Sequence, residues 1–195
     1  MNIKIEGPIA CFTRPEHKME RVSYECLTPT AALGILKSVF WKPQCDYMIR
    51  KIYIVSKGKL ESYGVTKELI QKSGMGVLDS TLKSNVVLRD GAWIVEADVV
   101  LHTDKISDHK ANSTVKYPAM LQKRLLKGKY FRAPYLGLAS FPAKLTLLPK
   151  VTEADYDTTA NFFIPGMLSG MCWEGAVPKA SFKLAQVKNG ILEVC

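Results

Sequence analysis

The segment TPTAALGILKSVFWKP, residues 28–43, carries a full set of helix signals, and the fold prediction begins from it. Thr28 is a residue type favoured at a helix N-cap, and Pro29 suits the first helical position. The apolar residues that follow recur at helical spacing, and Pro43 stops the run. The apolar positions of the predicted helix are Ala32, Leu36, Val39 and Phe40.

Strand patterns lie on both sides of this helix. Ile3 and Ile5 alternate with polar neighbours and predict a first strand. Residues 47–55 are rich in β-branched and aromatic side chains, and residues 93–101 alternate between apolar and polar positions. The intervening segment 56–89 is polar and dotted with glycine, and its pattern assigns no element.

The second half of the chain repeats this arrangement. Residues 118–127 predict a short helix that Gly128 ends as a C-terminal cap, and residues 144–148 predict a strand. A β-hairpin then closes the chain. It consists of the strands 181–187 and 191–194 and the tight turn Asn189-Gly190.

The order strand, helix, strand, strand, helix, strand predicts an α+β fold of the ferredoxin-like (RRM-like) type. We expect one domain over residues 1–195, with a small C-terminal β extension that ends in the hairpin. RNA-binding modules are prominent among the many functions of this fold. Because the functions are so varied, the fold alone does not assign one.

The charge of the chain is unevenly distributed. The formal net charge is +9, and residues 110–150 contain nine lysines and arginines and no carboxylate. A solvated surface normally mixes both signs, so this stretch favours a polyanionic partner such as nucleic acid. The alternative is a solubility feature. An anionic membrane surface is disfavoured because no amphipathic helix with a large aromatic face accompanies the charge.

The residue types that bind metals form no ligand pattern. No two of the five cysteines have Cys-x-x-Cys spacing, and the three histidines are equally scattered. We therefore expect no metal and no other cofactor, and thiols that are buried and reduced. The N-terminal residues are unlike a signal peptide, and no apolar run reaches the length of a membrane span. These features predict a cytoplasmic protein with no membrane partner.

Two blocks of the sequence are similar to a known family. The first contains ACFTRPE (10–16), ERVSY (20–24), TP (28–29), GIL (34–36) and WKP (41–43). The second contains KG (127–128), PYLG (134–137) and FPA (141–143), with a weaker match near the C-terminus. In order and spacing, these blocks resemble the Dvulg (type I-C) subtype of the family-five CRISPR-associated proteins.

The resemblance implies a ferredoxin-like RNA-binding domain that holds the 5′ handle of a crRNA at one end of a Cascade surveillance complex. The implied partners are the crRNA or pre-crRNA repeat, the large subunit, the first backbone subunit and, through the complex, target DNA. Proteins of this subtype also commonly cut the repeat RNA without a metal.

Metal-free RNA cleavage needs a general base, a cation beside the phosphate and a general acid. The family pattern has a tyrosine just before Trp-Lys-Pro and a lysine-histidine pair before the basic helix. The matching residues here are Phe40, Lys116 and Tyr117, so the lysine alone is retained. Phe40 has no proton to exchange, and a phenol of ordinary pKa, about 10, is a poor base at neutral pH. His109 is a further candidate if its loop folds back.

Three hypotheses remain open at this point. The first is a non-cleaving subunit that binds the crRNA handle and in which Lys116 contacts phosphate. The second is an active endoribonuclease that uses Lys116 and Tyr117 as catalytic residues. The third is a ferredoxin-like domain with no role in RNA binding, which the one-signed stretch and the long motif match disfavour.

Binding residues are predicted from two basic groups, one near the second helix and one beside the N-terminal motif. Contacts from such residues to phosphates fix the position of an RNA without reading its sequence. Phe12 and Trp41 are candidates to stack on bases, with a core or interface position as the alternative. The predicted RNA-binding residues are Arg14, Lys18, Arg21, Trp41, Lys42, Lys123, Arg124, Lys127, Lys129 and Arg132.

Overall fold

A computed structural model describes residues 1–17, 20–71, 78–102, 113–175 and 177–194. Lys18 and His109, both named above, lie outside the described residues. The described helices are α1 (Pro29–Val39) and α2 (Ser113–Leu126). The described strands are β1 (Asn2–Glu6), β2 (Ile9–Ala10), β3 (Cys45–Ser56), β4 (Lys59–Gln71), β5 (Leu78–Arg89), β6 (Ala92–Leu101), β7 (Lys144–Leu148), β8 (Phe162–Glu174), β9 (Val177–Lys188) and β10 (Ile191–Glu193).

These strands form two sheets. The larger sheet has the strand order β7-β1-β6-β3-β10-β9-β8, and the smaller has the order β2-β5-β4. Neighbouring strands in both sheets run antiparallel. Strand β1 pairs on both sides, so that Ile3 lies opposite Val95 of β6 and Leu147 of β7. The predicted combination of helices and antiparallel strands is confirmed.

The core lies between the larger sheet and the helices. Helix α1 contacts β3 and β8, helix α2 contacts β6 and β7, and the two helices contact each other. Ile3 and Ile5 of β1 are fully buried, as the alternation of that strand predicts, and so are Trp93 and Val95 of β6. Burying one such aliphatic side chain stabilises the fold by about 1.5–3 kcal/mol.

Helix α1 begins where its sequence predicts and ends at Val39, one residue before the last predicted helical position, Phe40. The Thr28 hydroxyl accepts a hydrogen bond from the Ala31 N–H at 3.2 Å, and Pro29 is the first helical residue. Phe40 has extended backbone angles, and its N–H donates to the Leu36 carbonyl at 3.1 Å. The three apolar helix positions and Phe40 after them are all buried, which fixes the face that α1 turns to the sheet.

Helix α2 begins five residues before its predicted start. The sequence predicts a start at Pro118, but the helix begins at Ser113 and includes Pro118, which lacks the N–H of a helix-interior hydrogen bond. Its end is as predicted. Gly128 has a φ of +59° and its N–H donates to the Leu125 carbonyl, while the Lys129 N–H donates to the Arg124 carbonyl. This pair of bonds is the Schellman arrangement, for which a glycine is favoured.

The C-terminal extension is larger than the predicted hairpin. The turn at Asn189 and Gly190 is present, with φ values of +49° and +76°. The strand before it, β9, is longer than predicted and also pairs with β8, which the sequence analysis did not assign. In the unassigned middle segment, β4 and β5 pair as a long hairpin. Both additions consist of strands, so they widen the antiparallel part of the protein.

The expectation of buried thiols holds for three of the cysteines. Cys11, Cys26 and Cys45 are buried, and burial raises the pKa of Cys26 to about 12, which keeps that thiol protonated. Cys172 is exposed on β8, contrary to the expectation, because it lies in the outermost strand of the larger sheet. Cys195 lies outside the described residues.

Two kinds of functional element are absent from the described residues. They contain no group of three or more His, Cys, Asp or Glu side chains arranged to hold a metal ion. Neither α1 nor α2 has the length and apolar character that crossing a membrane requires.

Candidate nucleic-acid interface

The two positions that the family pattern assigns to a tyrosine and a histidine lie together in the structure. Phe40 follows α1 and Tyr117 lies on α2, and their ring centroids are 6.2 Å apart. Phe40 is 2% exposed and Tyr117 is half-buried, whereas Lys116 is exposed beside them. The fold therefore brings together residues that are far apart in sequence, and it fills the space between them with aromatic packing.

Tyr47 of β3 completes this packing. Its hydroxyl donates a 2.6 Å hydrogen bond to the Phe40 carbonyl, and the side chain is buried. Burial raises the pKa of Tyr47 above its ordinary value. Tyr47 therefore keeps its proton at neutral pH and does not replace the missing tyrosine as a base. We call the group formed by Phe40, Tyr47, Tyr117 and Arg124 the closed corner.

Arg124 contributes its charge to the closed corner. Its guanidinium carbon lies 5.4 Å from the centre of the Phe40 ring, and Nη1 donates to the Val39 carbonyl at 3.3 Å. The side chain is only half exposed. Of the predicted phosphate-binding residues, Arg124 is thus one whose side chain is already engaged within the protein.

The loop after α2 lies against the end of α1. The Arg132 N–H donates to the Ser38 carbonyl at 2.8 Å, and the Phe131 N–H donates to the Val39 carbonyl at 3.2 Å. Residues 41–42 and residues 123–132, which are distant in the sequence, thereby lie close together. The predicted binding residues with exposed side chains in these two segments are Trp41, Lys42, Lys123, Lys127, Lys129 and Arg132.

A groove of about 700 Å³ runs along α1, and we call it the α1 groove. Three large aromatic side chains line it and remain exposed: Trp41 (52%), Phe131 (60%) and Tyr135 (43%). The Arg132 guanidinium lies 5.7 Å from the Phe131 ring and also lines the groove. Trp41 is therefore not a core residue. A groove with aromatic faces and cations has the character of a surface for single-stranded nucleic acid.

Part of the groove lining depends on a close crossing of two chain segments. The Cys11 N–H donates to the Leu136 carbonyl at 2.9 Å, and both Cys11 and Gly137 line the groove. Gly137 has a φ of +84°, and a Cβ at this position would overlap the Cys11 carbonyl. A glycine is required here because both the backbone angle and the space exclude a side chain.

The N-terminal basic group is divided between different surroundings. The Arg14 guanidinium lies 4.5 Å from the Tyr24 ring and 3.4 Å from the Glu16 carboxylate, and its side chain is 16% exposed. Phe12 is 3% exposed and packs edge-on against Trp93 at 5.4 Å, so it is a core residue. Arg21 lines a separate cleft of about 420 Å³.

Phe131, Tyr135 and Lys37 line the α1 groove without having been predicted as binding residues. The Lys37 ammonium is paired with Asp46 at 3.0 Å, which reduces its value as a free cation. A sequence signal for the two aromatic residues exists. They lie in a loop rich in lysine, arginine, glycine and proline, where no regular element provides a core for an aromatic side chain.

The family of the chain follows from its match to a family model. The model of the CRISPR-associated protein family Cas_Cas5, of subtype Cas5d, matches residues 1–193. The chain belongs to this family. The match includes every residue of the closed corner and of the α1 groove.

Two curated relatives support this membership. The pre-crRNA endoribonuclease Cas5d of Mannheimia succiniciproducens is 32% identical over 220 aligned positions, which cover 100% of this chain and 94% of the relative. The enzyme of the same name from Thermus thermophilus is 39% identical over 147 positions, covering 73% of this chain and 62% of the relative. The predicted resemblance to the type I-C subtype is thus confirmed.

Solved structures share the fold at low sequence identity. A CRISPR-associated protein has a TM-score of 0.72 and 17% identity, with 98% of this chain and 89% of that chain covered. A functionally uncharacterized protein from Streptococcus mutans has a TM-score of 0.69 and 18% identity, with 98% and 90% covered. A chain of a CRISPR RNA-guided surveillance complex has a TM-score of 0.57 and 11% identity, with the same coverage.

Proposed function

We propose that this protein binds the 5′ handle of a crRNA as a capping subunit of a type I-C-like surveillance complex. The observation that carries the proposal is that backbone hydrogen bonds bring the basic segment 123–132 beside the end of α1 and Trp41, and that Trp41 and Arg132 both line the α1 groove. A groove of this kind can hold several consecutive nucleotides of one strand.

The character of the α1 groove favours single-stranded RNA over a duplex. Unpaired bases stack on exposed aromatic side chains, and each such contact contributes about 1–3 kcal/mol to binding. In a duplex the bases are already stacked, so exposed aromatic faces gain little from it. The exposed Lys42, Lys127 and Lys129 then bind the phosphates that follow the bases.

The closed corner favours binding without cleavage. Phe40 has no ionisable group, and the Tyr47 hydroxyl donates a hydrogen bond to the Phe40 carbonyl. Arg124, whose guanidinium lies over the Phe40 ring, donates a hydrogen bond to the Val39 carbonyl. An effective metal-free nuclease needs a base, an acid and a free cation around one phosphate. The corner offers packing at the positions where two of these groups are expected.

A second candidate function, metal-independent cleavage of repeat RNA, has one observation in its favour. Both curated relatives are named pre-crRNA endoribonucleases. In this protein, Lys116 is exposed next to the half-buried Tyr117, so these two residues are the ones available for such chemistry.

The proposed assembly extends to the fold and to the partners. The four strands that alternate with the helices have the order β7-β1-β6-β3, which matches the ferredoxin-like arrangement of fourth, first, third and second strands. We propose that this unit and its β extension form one domain. The large subunit, the backbone subunit and target DNA are the proposed further partners in the cytoplasm.

The test is to incubate the purified protein with its repeat RNA, with and without EDTA, and to measure binding as a function of salt concentration. We expect tight, salt-dependent binding of single-stranded RNA and no cleavage. Cleavage that resists EDTA and is lost in Lys116→Ala would instead establish the second candidate. If the protein neither binds nor cuts the RNA, both candidates fail.

A further inference from the structure

Gly34 lies in the middle of α1, where the fold does not require a glycine. It is exposed, and a Cβ built at this position has no other atom within 4 Å. Its φ is not in the left-handed region, in contrast to that of Gly137. Neither packing nor backbone conformation within the described structure therefore accounts for a glycine at this position.

A glycine here makes the helix less stable. Inside a helix, glycine loses more conformational freedom on folding than alanine does. In an 11-residue helix with Gly34 near its centre, fraying does not relieve this effect. Gly34 thus lowers the stability of the helix. An explanation for a glycine at this position must come from the surroundings of the helix.

Those surroundings are the α1 groove. Gly34 lines the groove along with Trp41, Phe131 and Arg132. Trp41, Phe131 and Tyr135 are exposed in the groove, and the exposed Lys42 follows Trp41 directly in sequence. Any side chain at position 34 would project into this groove, whereas glycine leaves the helix backbone bare.

We propose that Gly34 is a contact point at which the ribose-phosphate backbone of single-stranded RNA passes directly against α1. The bases of that segment stack on Trp41, Phe131 and Tyr135, and its phosphates face the cations at the rim. This inference rests on the proposed RNA-binding function. It adds to that function a residue that contributes by having no side chain, so that the RNA backbone can approach the helix closely.

The test compares Gly34→Ala and Gly34→Gln with the wild type, using a fluorescein-labelled single-stranded oligouridylate and the repeat RNA. Because a side chain here meets no protein atom and favours the helix, we expect Gly34→Ala to raise the melting temperature by about 1–4 °C. We expect the same variant to weaken RNA binding by roughly fivefold, and Gly34→Gln to weaken it further, because added volume overfills the contact.

A matched control separates contact from helix stability. Gln122 is exposed on α2 and is not among the residues that line the α1 groove. We expect Gln122→Gly to lower the melting temperature and to leave RNA affinity unchanged. A direct contact is supported if Gly34→Ala raises the melting temperature and weakens RNA binding. It is supported further if Gln122→Gly changes the melting temperature without changing RNA affinity.

The outcomes also distinguish the inference from the function beneath it. If the wild type binds both RNAs and Gly34→Ala binds them equally well, the contact at Gly34 is refuted while the proposed function stands. If Gln122→Gly weakens binding as much as Gly34→Ala does, the contact is refuted too. If the wild type binds neither RNA, the proposed function fails, and the inference fails with it.

Discussion

Phe40 and Trp41 are neighbours in sequence, but they belong to two regions of opposite character. Phe40 is 2% exposed in the closed corner, held between the ring of Tyr117 and the guanidinium of Arg124. Trp41 is 52% exposed in the α1 groove. The chain turns from helix to extended backbone at Phe40, so the two side chains point to different sides of one junction.

The two regions differ in whether their side chains already have partners within the protein. In the closed corner the side chains have partners within the protein. These are a contact between two rings, a cation over a ring and two hydrogen bonds to backbone carbonyls. Among the exposed aromatic rings of the groove, Phe131 has Arg132 near its ring, whereas no ring or cation contact is found for Trp41 or Tyr135 among the described side chains. Surfaces that expose apolar area of this kind are typical of binding sites.

The most demanding test of the contrast is to restore the chemistry of the closed corner. The double variant Phe40→Tyr, Tyr117→His restores the residue types of the family pattern next to Lys116. We expect it to cut the repeat RNA in EDTA at a rate about a hundredfold or more above the wild type, because an acid and a base become available. Denaturing gels of the repeat RNA measure this rate.

The control for this experiment is the same double variant carrying Lys116→Ala, which we expect to lose the gained cleavage. A melting curve checks that the hydroxyl introduced by Phe40→Tyr is accommodated, since an unpaired buried hydroxyl costs about 1–3 kcal/mol. If the wild type already cuts the RNA as fast as the double variant, the packing of the closed corner does not prevent cleavage. The proposed difference between the closed corner and the α1 groove is then wrong.

The groove side of the contrast is tested by Trp41→Ala. Loss of one stacking platform lowers affinity for single-stranded RNA by about 1–3 kcal/mol, or roughly 5- to 150-fold. The melting temperature changes little because half of the side chain is already in water. Met48→Ala, at another exposed apolar residue, serves as the control and leaves affinity unchanged. Equal losses in the two variants would contradict a specific stacking role.

Two adjacent residues of α2 refine the contrast with a smaller effect. Lys123 is exposed, whereas Arg124 is held in the closed corner. In Lys123→Ala we expect the slope of log affinity against log salt concentration to fall by about 0.7, with stability unchanged. In Arg124→Ala we expect the free energy of unfolding to fall by about 1 kcal/mol, since the contact with the Phe40 ring is lost. If instead Lys123→Ala lowers stability and Arg124→Ala lowers the salt dependence, Arg124 is the phosphate contact and Lys123 is the structural residue.

The elements that were predicted from sequence are those with strong local signals. Thr28 and Pro29 mark the start of α1, Gly128 ends α2, and Asn189-Gly190 forms the last turn. The missed strands lack such signals. In β4 the residues at its start are all exposed, and β8 contains a proline and two glycines, so their strand character comes from pairing with β5 and β9.

The candidate site was predictable in its composition but not in its connections. The basic residues near α2 were identified from charge alone, and most of them are exposed. That Arg124 turns inward depends on the end of α1 lying beside α2, which no local pattern encodes. The grouping of Trp41 with Phe131 likewise depends on backbone hydrogen bonds between residues that are about 90 positions apart.

The pairing of β1 with β7 determines when the larger sheet can be completed. Ile3 is among the first residues synthesised, but its partner Leu147 in β7 follows roughly 7–30 s later at ordinary rates of translation. Pairings across such long stretches of chain are also slow to form. During that interval the apolar side chains of β1 have no complete sheet to enter, so we expect the unfinished chain to be prone to aggregation. The last third of the chain thus completes its first strand.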